Sequence, residues 1–216
     1  MGDASRFEKL GRWLHRLLAV YGVLLGLEVL AGAALIGVLA GVEALEPGSG
    51  RAQAAALSLF VMAGAGFLEL AAYIVIAVLF LRFLYKAVQQ AKGFTPPYSY
   101  VSPGWAVGYW FIPFINLYRP YETVKTLFKA CAAQAGGEAK PAAGDQLLGA
   151  WWAMFLVANV AGWILARSDI DMSTTAGITA YAEYSIGCDV LLLIAMLLFW
   201  LVLKRLVAAV SGTAKA

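Results

Sequence analysis

Charged side chains are scarce in this 216-residue chain, because Asp, Glu, Lys and Arg together make up only 13% of it. Soluble globular domains contain about 25% charged and about 45–50% apolar residues. Here apolar residues make up 62% of the chain, and the mean hydropathy is +0.77. The composition therefore excludes an ordinary soluble domain and predicts a polytopic membrane protein.

Residues that support common enzyme and cofactor chemistry are also scarce. The chain has one histidine, His15, and two cysteines, Cys131 and Cys188, in separate parts of the sequence. This set is too small for a structural zinc site or a bis-histidine haem, and the HExxH, CxxC, P-loop and GxSxG motifs are absent. We expect no cofactor and no metal site. A non-enzymatic function is favoured, although an enzyme that uses only carboxylates stays open.

Four apolar runs are long enough to cross a bilayer, whose hydrocarbon core requires about 20 helical residues. They cover residues 17–41, 54–81, 147–166 and 184–203. The pattern predicts an all-α fold, a polytopic four-helix transmembrane bundle that residues 1–216 form as a single domain. The second helix is expected to continue past the membrane toward Gly93, because its apolar periodicity continues that far.

Lysine and arginine are distributed unequally among the connections. Fourteen of the 16 lie in the N-terminal tail, the central connection and the C-terminal tail, whereas only Arg51 and Arg167 lie in the other two connections. The positive-inside rule then places both termini and the central connection in the cytoplasm. The formal net charge of +3 follows from this asymmetry and does not indicate nucleic-acid binding. The expected partner is the lipid bilayer. A homo-oligomer or a complex with a cytoplasmic protein stays open as well.

The central connection contains an apolar and aromatic segment, residues 104–118, that is too short for a normal span. Fifteen helical residues extend only about 22 Å, and Pro113 would kink or break such a helix near its middle. We therefore expect a re-entrant or interfacial segment within residues 105–131. It could form a hairpin that lines a pore or a substrate path, or a packed interfacial plug, with Asn116 satisfying exposed backbone groups.

An amphipathic helix is predicted directly after this segment. Pro120 suits the first turn of a helix, because its missing N–H costs no hydrogen bond there. Apolar residues then recur at helical spacing, at Leu117, Tyr121, Val124, Phe128 and Cys131. Charged residues lie on the opposite side, at Glu122, Lys125 and Lys129. This pattern is typical of a helix that lies along a membrane surface, here the cytoplasmic one.

The motif Trp110-Phe111-x-Pro113-x-x-Asn116-Leu117, followed by Arg119-Pro120-Tyr121, resembles the hallmark of a bacterial membrane-protein family known only as a domain of unknown function. The resemblance covers residues 105–129 and the arrangement of spans around them. It implies a multi-span fold in the bacterial inner membrane and assigns no activity. It marks Trp110, Pro113, Asn116 and Arg119 as signature residues, whereas Glu28 and Glu69 lie outside the motif.

Two glutamates lie inside predicted spans, where a charge costs several kcal/mol. Glu28 is 12 positions after Arg16, and Glu69 is 13 positions before Arg82. If the first two helices are antiparallel neighbours, the two carboxylates lie at the same depth and close together. Both glutamates are therefore candidates for a functional site.

Small and aromatic side chains accompany the two acids. Glycines lie two residues before the first acid and three before the second, at Gly26 and Gly66, where small residues allow helices in lipid to approach closely. Tyr21 is seven positions before Glu28, and Tyr73 is four positions after Glu69. At these spacings both hydroxyls are expected on the helix faces that carry the acids, within hydrogen-bonding range of them.

A third acid, Asp189, lies near the outer end of the fourth predicted span. At that position we expect it to reach water at the interface. Asn159, in the third span, has a similar depth and is its expected partner.

The acidic pair suggests two classes of function. Two carboxylates that face each other in a low dielectric cannot both stay ionised, so they share a proton or hold a cation. This favours a protein that moves or senses a proton or a small cation. In the alternative, a non-enzymatic scaffold or regulator, protonated glutamates only hydrogen-bond the helices together, and the amphipathic helix recruits a partner.

Overall fold

The computed structural model of the chain describes residues 3–136 and 143–213. These residues form helices and no strand, and the helices are α1 (Asp3–Leu39), α2 (Gly50–Ala91), α3 (Pro103–Gly108), α4 (Arg119–Gln134), α5 (Ala143–Leu165) and α6 (Thr175–Thr213). The predicted all-α fold class is confirmed. Residues 1, 2 and 214–216, at the two chain ends that we predict to be cytoplasmic, lie outside the described residues.

Four of the helices, α1, α2, α5 and α6, are long and apolar enough to cross a membrane. Each of the four contains one predicted span, except that the first predicted span ends two residues after α1 and the third ends one residue after α5. Helix α2 has 42 residues, which is about 60 Å of helix, so it continues past the predicted span as its periodicity indicated. Helix α6 begins at Thr175, well before the predicted start of the fourth span at residue 184.

The chain divides into two compact units that differ in charge. The first contains the residues up to Leu18, Ile74–Ala153 and the residues from Leu197 onward, and the second contains Ala19–Tyr73 and Met154–Met196. The second unit has eight acidic residues and only two basic ones, and the other fourteen basic residues belong to the first.

Close helix packing in the first unit depends on a small residue of α1. A Cβ atom added at Gly11 would lie 2.7 Å from a methyl carbon of Val207, in α6. A larger side chain would therefore push the two helices apart. One turn before Gly11, the rings of Phe7 and Phe83 meet edge to face with their centroids 5.5 Å apart, so α2 packs against the same end of α1.

The aromatic segment of the central connection is broken into short pieces. Helix α3 ends at Gly108, and 3₁₀ turns follow at Tyr109–Phe111 and Ile115–Leu117. Between them Phe114 has a φ of 64°, a left-handed conformation that costs a non-glycine residue about 1–3 kcal/mol. The expected break near Pro113 is therefore present, and no single helix runs through the segment.

Trp110 joins this irregular segment to the neighbouring helices of the first unit. Its ring meets Phe80 of α2 and Trp152 of α5 edge to face, with both centroid distances 5.7 Å. The Trp152 indole N–H donates a 2.8 Å hydrogen bond to the Leu117 carbonyl. The side-chain oxygen of Asn116 is buried and has no hydrogen-bond partner in the described chain, so the expected acceptor role of that oxygen is not observed.

Helix α4 is present as predicted but is rotated relative to the predicted buried face. Its buried residues are Pro120, Thr123, Val124, Leu127 and Cys131. Only two residues of the predicted stripe, Val124 and Cys131, are among them, while Tyr121 and Phe128 are half-buried and Leu117 precedes the helix and is exposed. Periodicity alone could not distinguish two neighbouring stripes that both carry apolar side chains.

The signature residue Arg119 joins the start of α4 to the connection before α3. Its guanidinium donates a 2.8 Å hydrogen bond to the Tyr100 hydroxyl and lies 3.7 Å from a carboxylate oxygen of Glu122. The Tyr100 hydroxyl in turn donates to the same carboxylate. Nearby, the hydroxyls of Tyr98 and Thr126 are 2.8 Å apart, so three side-chain contacts hold the connection on α4.

The buried thiol of Cys131 is expected to resist alkylation. Burial raises the pKa of Cys131 to about 11, so at pH 8 only about one thiol in a thousand is ionised. In a Cys188→Ser background, iodoacetamide should modify Cys131 slowly in the folded protein and rapidly after unfolding. An exposed cysteine introduced by Ser99→Cys is the control. Equal alkylation rates for the two folded proteins would contradict the packing of α4.

Candidate functional site

The second unit brings three acidic side chains together. Glu28 lies on α1, Glu69 on α2 and Asp189 on α6. One carboxylate oxygen from each lies within 4.8 Å of the other two. The two glutamates thus meet, as their matched depth predicted, and Asp189 joins them. We call these three residues the carboxylate cluster.

The absence of a side chain at Gly66 makes room for the cluster. A Cβ atom added there would lie 2.8 Å from Oε1 of Glu28, which is closer than such atoms normally approach. The Glu28 carboxyl therefore rests directly against the backbone of α2. Gly26, the other glycine expected on this face, has no atom within 4 Å of an added Cβ and does not take part.

The cluster is buried and its hydrogen bonding is incomplete. Glu28 and Asp189 are 7% and 5% exposed, and Glu69 is half-buried. Ser185, one helical turn before Asp189, hydrogen-bonds its carboxylate. One oxygen of each acid is nevertheless buried without a hydrogen-bond partner among the described residues. Such an oxygen is costly to bury unless a proton or a ligand satisfies it.

The expectation that Asp189 reaches water at the interface is wrong. Helix α6 begins at Thr175, so Asp189 lies about 20 Å along the helix rather than near its end. The hydroxyl of Ser185 and the small Ala182, which is fully buried, lie on the same face of α6 at helical spacing. This small and polar stripe is the sequence signal that indicates an inward-facing Asp189.

Asn159 and the two tyrosines are placed differently from one another. The Asn159 amide donates a 2.7 Å hydrogen bond to the Phe155 carbonyl in its own helix, on an exposed face, so the expected pairing with Asp189 is not formed. Tyr21 is 8% exposed and lies near enough to interact electrostatically with all three acids and with Tyr73. Tyr73 itself is 42% exposed and lies at the edge of this group.

No basic residue is available inside the second unit to neutralise the cluster. Its two basic residues are Arg51, at the start of α2, and Arg167, just after α5. Arg51 is 18 positions from Glu69 on the same helix, which is about 27 Å. Two ionised carboxylates whose oxygens are at most 4.8 Å apart repel by at least about 3 kcal/mol at an effective dielectric constant of about 20. A proton or a cation in the cluster would relieve this repulsion.

The oxygen positions also suit a small hard cation. Such ions bind carboxylate oxygens at about 2.0–2.6 Å, so oxygens on opposite sides of one ion are up to about 5 Å apart. The 4.8 Å limit within the cluster falls inside that range. Three acids from three helices can therefore form a ligand set, which the scarcity of histidine and cysteine in the sequence does not indicate.

Three cavities of the described residues lie away from the cluster. The first, about 760 Å³, is lined from α1 and α2 in the first unit. The second, about 260 Å³, lies between the connection around Tyr98 and α4. The third, about 560 Å³, lies near Glu43 and Glu183 in the second unit. None of these three is lined by a cluster residue, so they do not supply the polar cavity expected beside the pair.

Comparison with known proteins places the chain in a family without assigning an activity. No curated protein and no solved structure matches the chain. One family model matches residues 47–208, which include Glu69, Asp189 and the aromatic signature segment but not Glu28. This match covers most of the chain, so the protein belongs to the family described as Domain of unknown function (DUF4328).

Proposed function

We propose that this protein moves or senses a proton or a small cation through the carboxylate cluster. The observation that carries the proposal is the meeting of three acids from three apolar helices, with their oxygens within 4.8 Å. Ionisable residues at such depth are costly, and they commonly mark ion or proton pathways. Their cost is offset where the group exchanges a proton or holds a cation.

The roles of the residues follow from their surroundings. Glu28 and Asp189 are the more buried acids and form the inner part of the proton or cation site. Glu69 is half-buried and is the acid through which a proton or cation enters or leaves. Tyr21 supplies a hydroxyl that can donate to a carboxylate or to a bridging water.

The test is flux in proteoliposomes. Purified protein is reconstituted with a pH-sensitive or cation-sensitive dye inside the vesicles, and a valinomycin-induced potassium potential drives influx. We expect faster influx than in empty vesicles, and no excess influx for the triple variant Glu28→Gln, Glu69→Gln, Asp189→Asn. Equal influx for wild type and triple variant would exclude transport and leave sensing to be tested by titration.

A scaffold or regulator is the second candidate function. The observation in its favour is that the three acids come from three different helices and bring their oxygens within 4.8 Å of one another. In this case the acids are protonated and hold α1, α2 and α6 together, while α4 recruits a cytoplasmic protein or a second copy of the chain. Wild-type behaviour of the triple variant in both flux and carboxyl titration would favour this function.

We further propose that the protein lies in the bacterial inner membrane with both termini and the α2–α5 connection in the cytoplasm. The excess of basic residues in these regions supports this orientation. In a background without Cys131 and Cys188, a membrane-impermeant maleimide should label Ser49→Cys and Ser173→Cys in spheroplasts. Ser99→Cys should be labelled only after permeabilisation. Labelling of Ser99→Cys in intact spheroplasts would contradict the orientation.

A further inference from the structure

We propose that the groove between the first turns of α1 and the last turns of α2 binds an anionic phospholipid. The groove has a volume of about 760 Å³, within the range of about 300–1,000 Å³ that is typical of small-molecule sites. Four of its lining residues are basic, Arg6, Lys9, Arg82 and Lys86, and none is acidic. Its charge is therefore complementary to a phosphate-containing headgroup.

One end of the groove is basic and the other end is apolar, which matches the charged headgroup and the apolar acyl chains of a phospholipid. On α1 the basic residues Arg6 and Lys9 precede Trp13, which is nearer to the apolar stretch of the helix. On α2 the order is reversed, and Leu79, in the apolar stretch, precedes Arg82 and Lys86. Both helices thus place cations at the end away from the apolar stretch and a large apolar side chain at the end toward it.

This arrangement separates the binding of the headgroup from that of the acyl chains. Arg82 and Lys86 are one turn apart on α2 and both exposed, so both can reach one phosphate. Trp13 is 50% exposed, with the Arg16 guanidinium 5.4 Å from its ring centroid, and exposed tryptophan rings are enriched at membrane–water interfaces. Because α1 and α2 are candidate membrane spans, bilayer lipid has direct access to the groove.

The test is lipid binding by the purified full-length protein, measured by native mass spectrometry from a neutral detergent. Phosphatidylglycerol should remain bound through delipidation, whereas phosphatidylcholine of the same chain length should not. The double variant Arg82→Gln, Lys86→Gln should bind phosphatidylglycerol at least about tenfold more weakly, because each basic contact contributes about fivefold. The matched control is Lys204→Gln, Arg205→Gln, which removes two exposed basic charges from another spanning helix, α6.

Three results would overturn the proposal. Equal losses in the two double variants would show a general attraction of anionic lipid to basic surfaces. Equal retention of phosphatidylcholine and phosphatidylglycerol would show that the cations are not used. Binding of inorganic phosphate or of the deacylated headgroup as tightly as the intact lipid would show a site for a soluble anion. Circular dichroism of each variant confirms that its helices are intact.

Discussion

Glu28→Gln is expected to remove proton or cation influx into proteoliposomes, leaving only the leak of empty vesicles. Glutamine has nearly the size of glutamate and can still hydrogen-bond, but it can neither release a proton nor contribute a negative charge to a cation. Glu28 is 7% exposed and its Oε1 has no partner among the described residues, so the substitution leaves only Glu69 and Asp189 of the three acids whose oxygens lie within 4.8 Å. The unfolding temperature should stay the same or rise, since a repulsion among three acids is relieved.

The matched control is Glu43→Gln, which removes an acid from the exposed connection after α1. Only the backbone carbonyl of Glu43 accepts a described hydrogen bond, from the Thr175 hydroxyl, and the substitution preserves it. Influx through Glu43→Gln should equal that of the wild type. A Glu28→Gln protein that still supports full influx would rule out this carboxyl as part of the pathway.

Gly66→Ala is expected to disrupt the cluster, although it adds only one methyl group. That carbon would lie 2.8 Å from Glu28 Oε1, so the carboxyl must leave its position beside α2. Overpacking of this kind usually costs about 1–3 kcal/mol. Influx should fall with the loss of cluster geometry, and the unfolding temperature in detergent should fall as well.

Gly64→Ala provides the control for this substitution in the same helix. Nothing lies within 4 Å of a Cβ added at Gly64, so the methyl group meets no protein atom. Both substitutions gain the same intrinsic preference of alanine for helix, about 1 kcal/mol. Gly64→Ala should therefore be neutral or stabilising, and similar behaviour of the two variants would contradict the contact between Gly66 and Glu28.

The sequence predicted the meeting of Glu28 and Glu69 because the rise of an α-helix is constant. Counting from Arg16 and Arg82 places both acids at equal depth, and antiparallel neighbours then bring them together. The same counting fails for Asp189, because hydropathy places the start of the fourth span at residue 184. Helix α6 includes a polar turn from Thr175, which hydropathy alone assigns to a loop.

In the central segment, too, some features could be predicted from the sequence and others could not. Proline chemistry predicted the break near Pro113 and the start of α4, since both depend on local backbone geometry. The buried face of α4 and the contact of Trp110 with Phe80 and Trp152 depend on residues more than 25 positions away in the sequence. Such packing is determined by tertiary contacts that periodicity does not contain.

The most direct test of the central claim is infrared difference spectroscopy of the carboxyl groups in reconstituted protein. If the cluster exchanges a proton or cation, the carbonyl stretch of a protonated carboxyl should change in the wild type when pH or cation concentration is changed. The change should be absent or shifted in Glu28→Gln and unaltered in Glu43→Gln. A carboxyl band in the wild type that stays constant across both titrations would show permanently protonated acids and would contradict the proposed function.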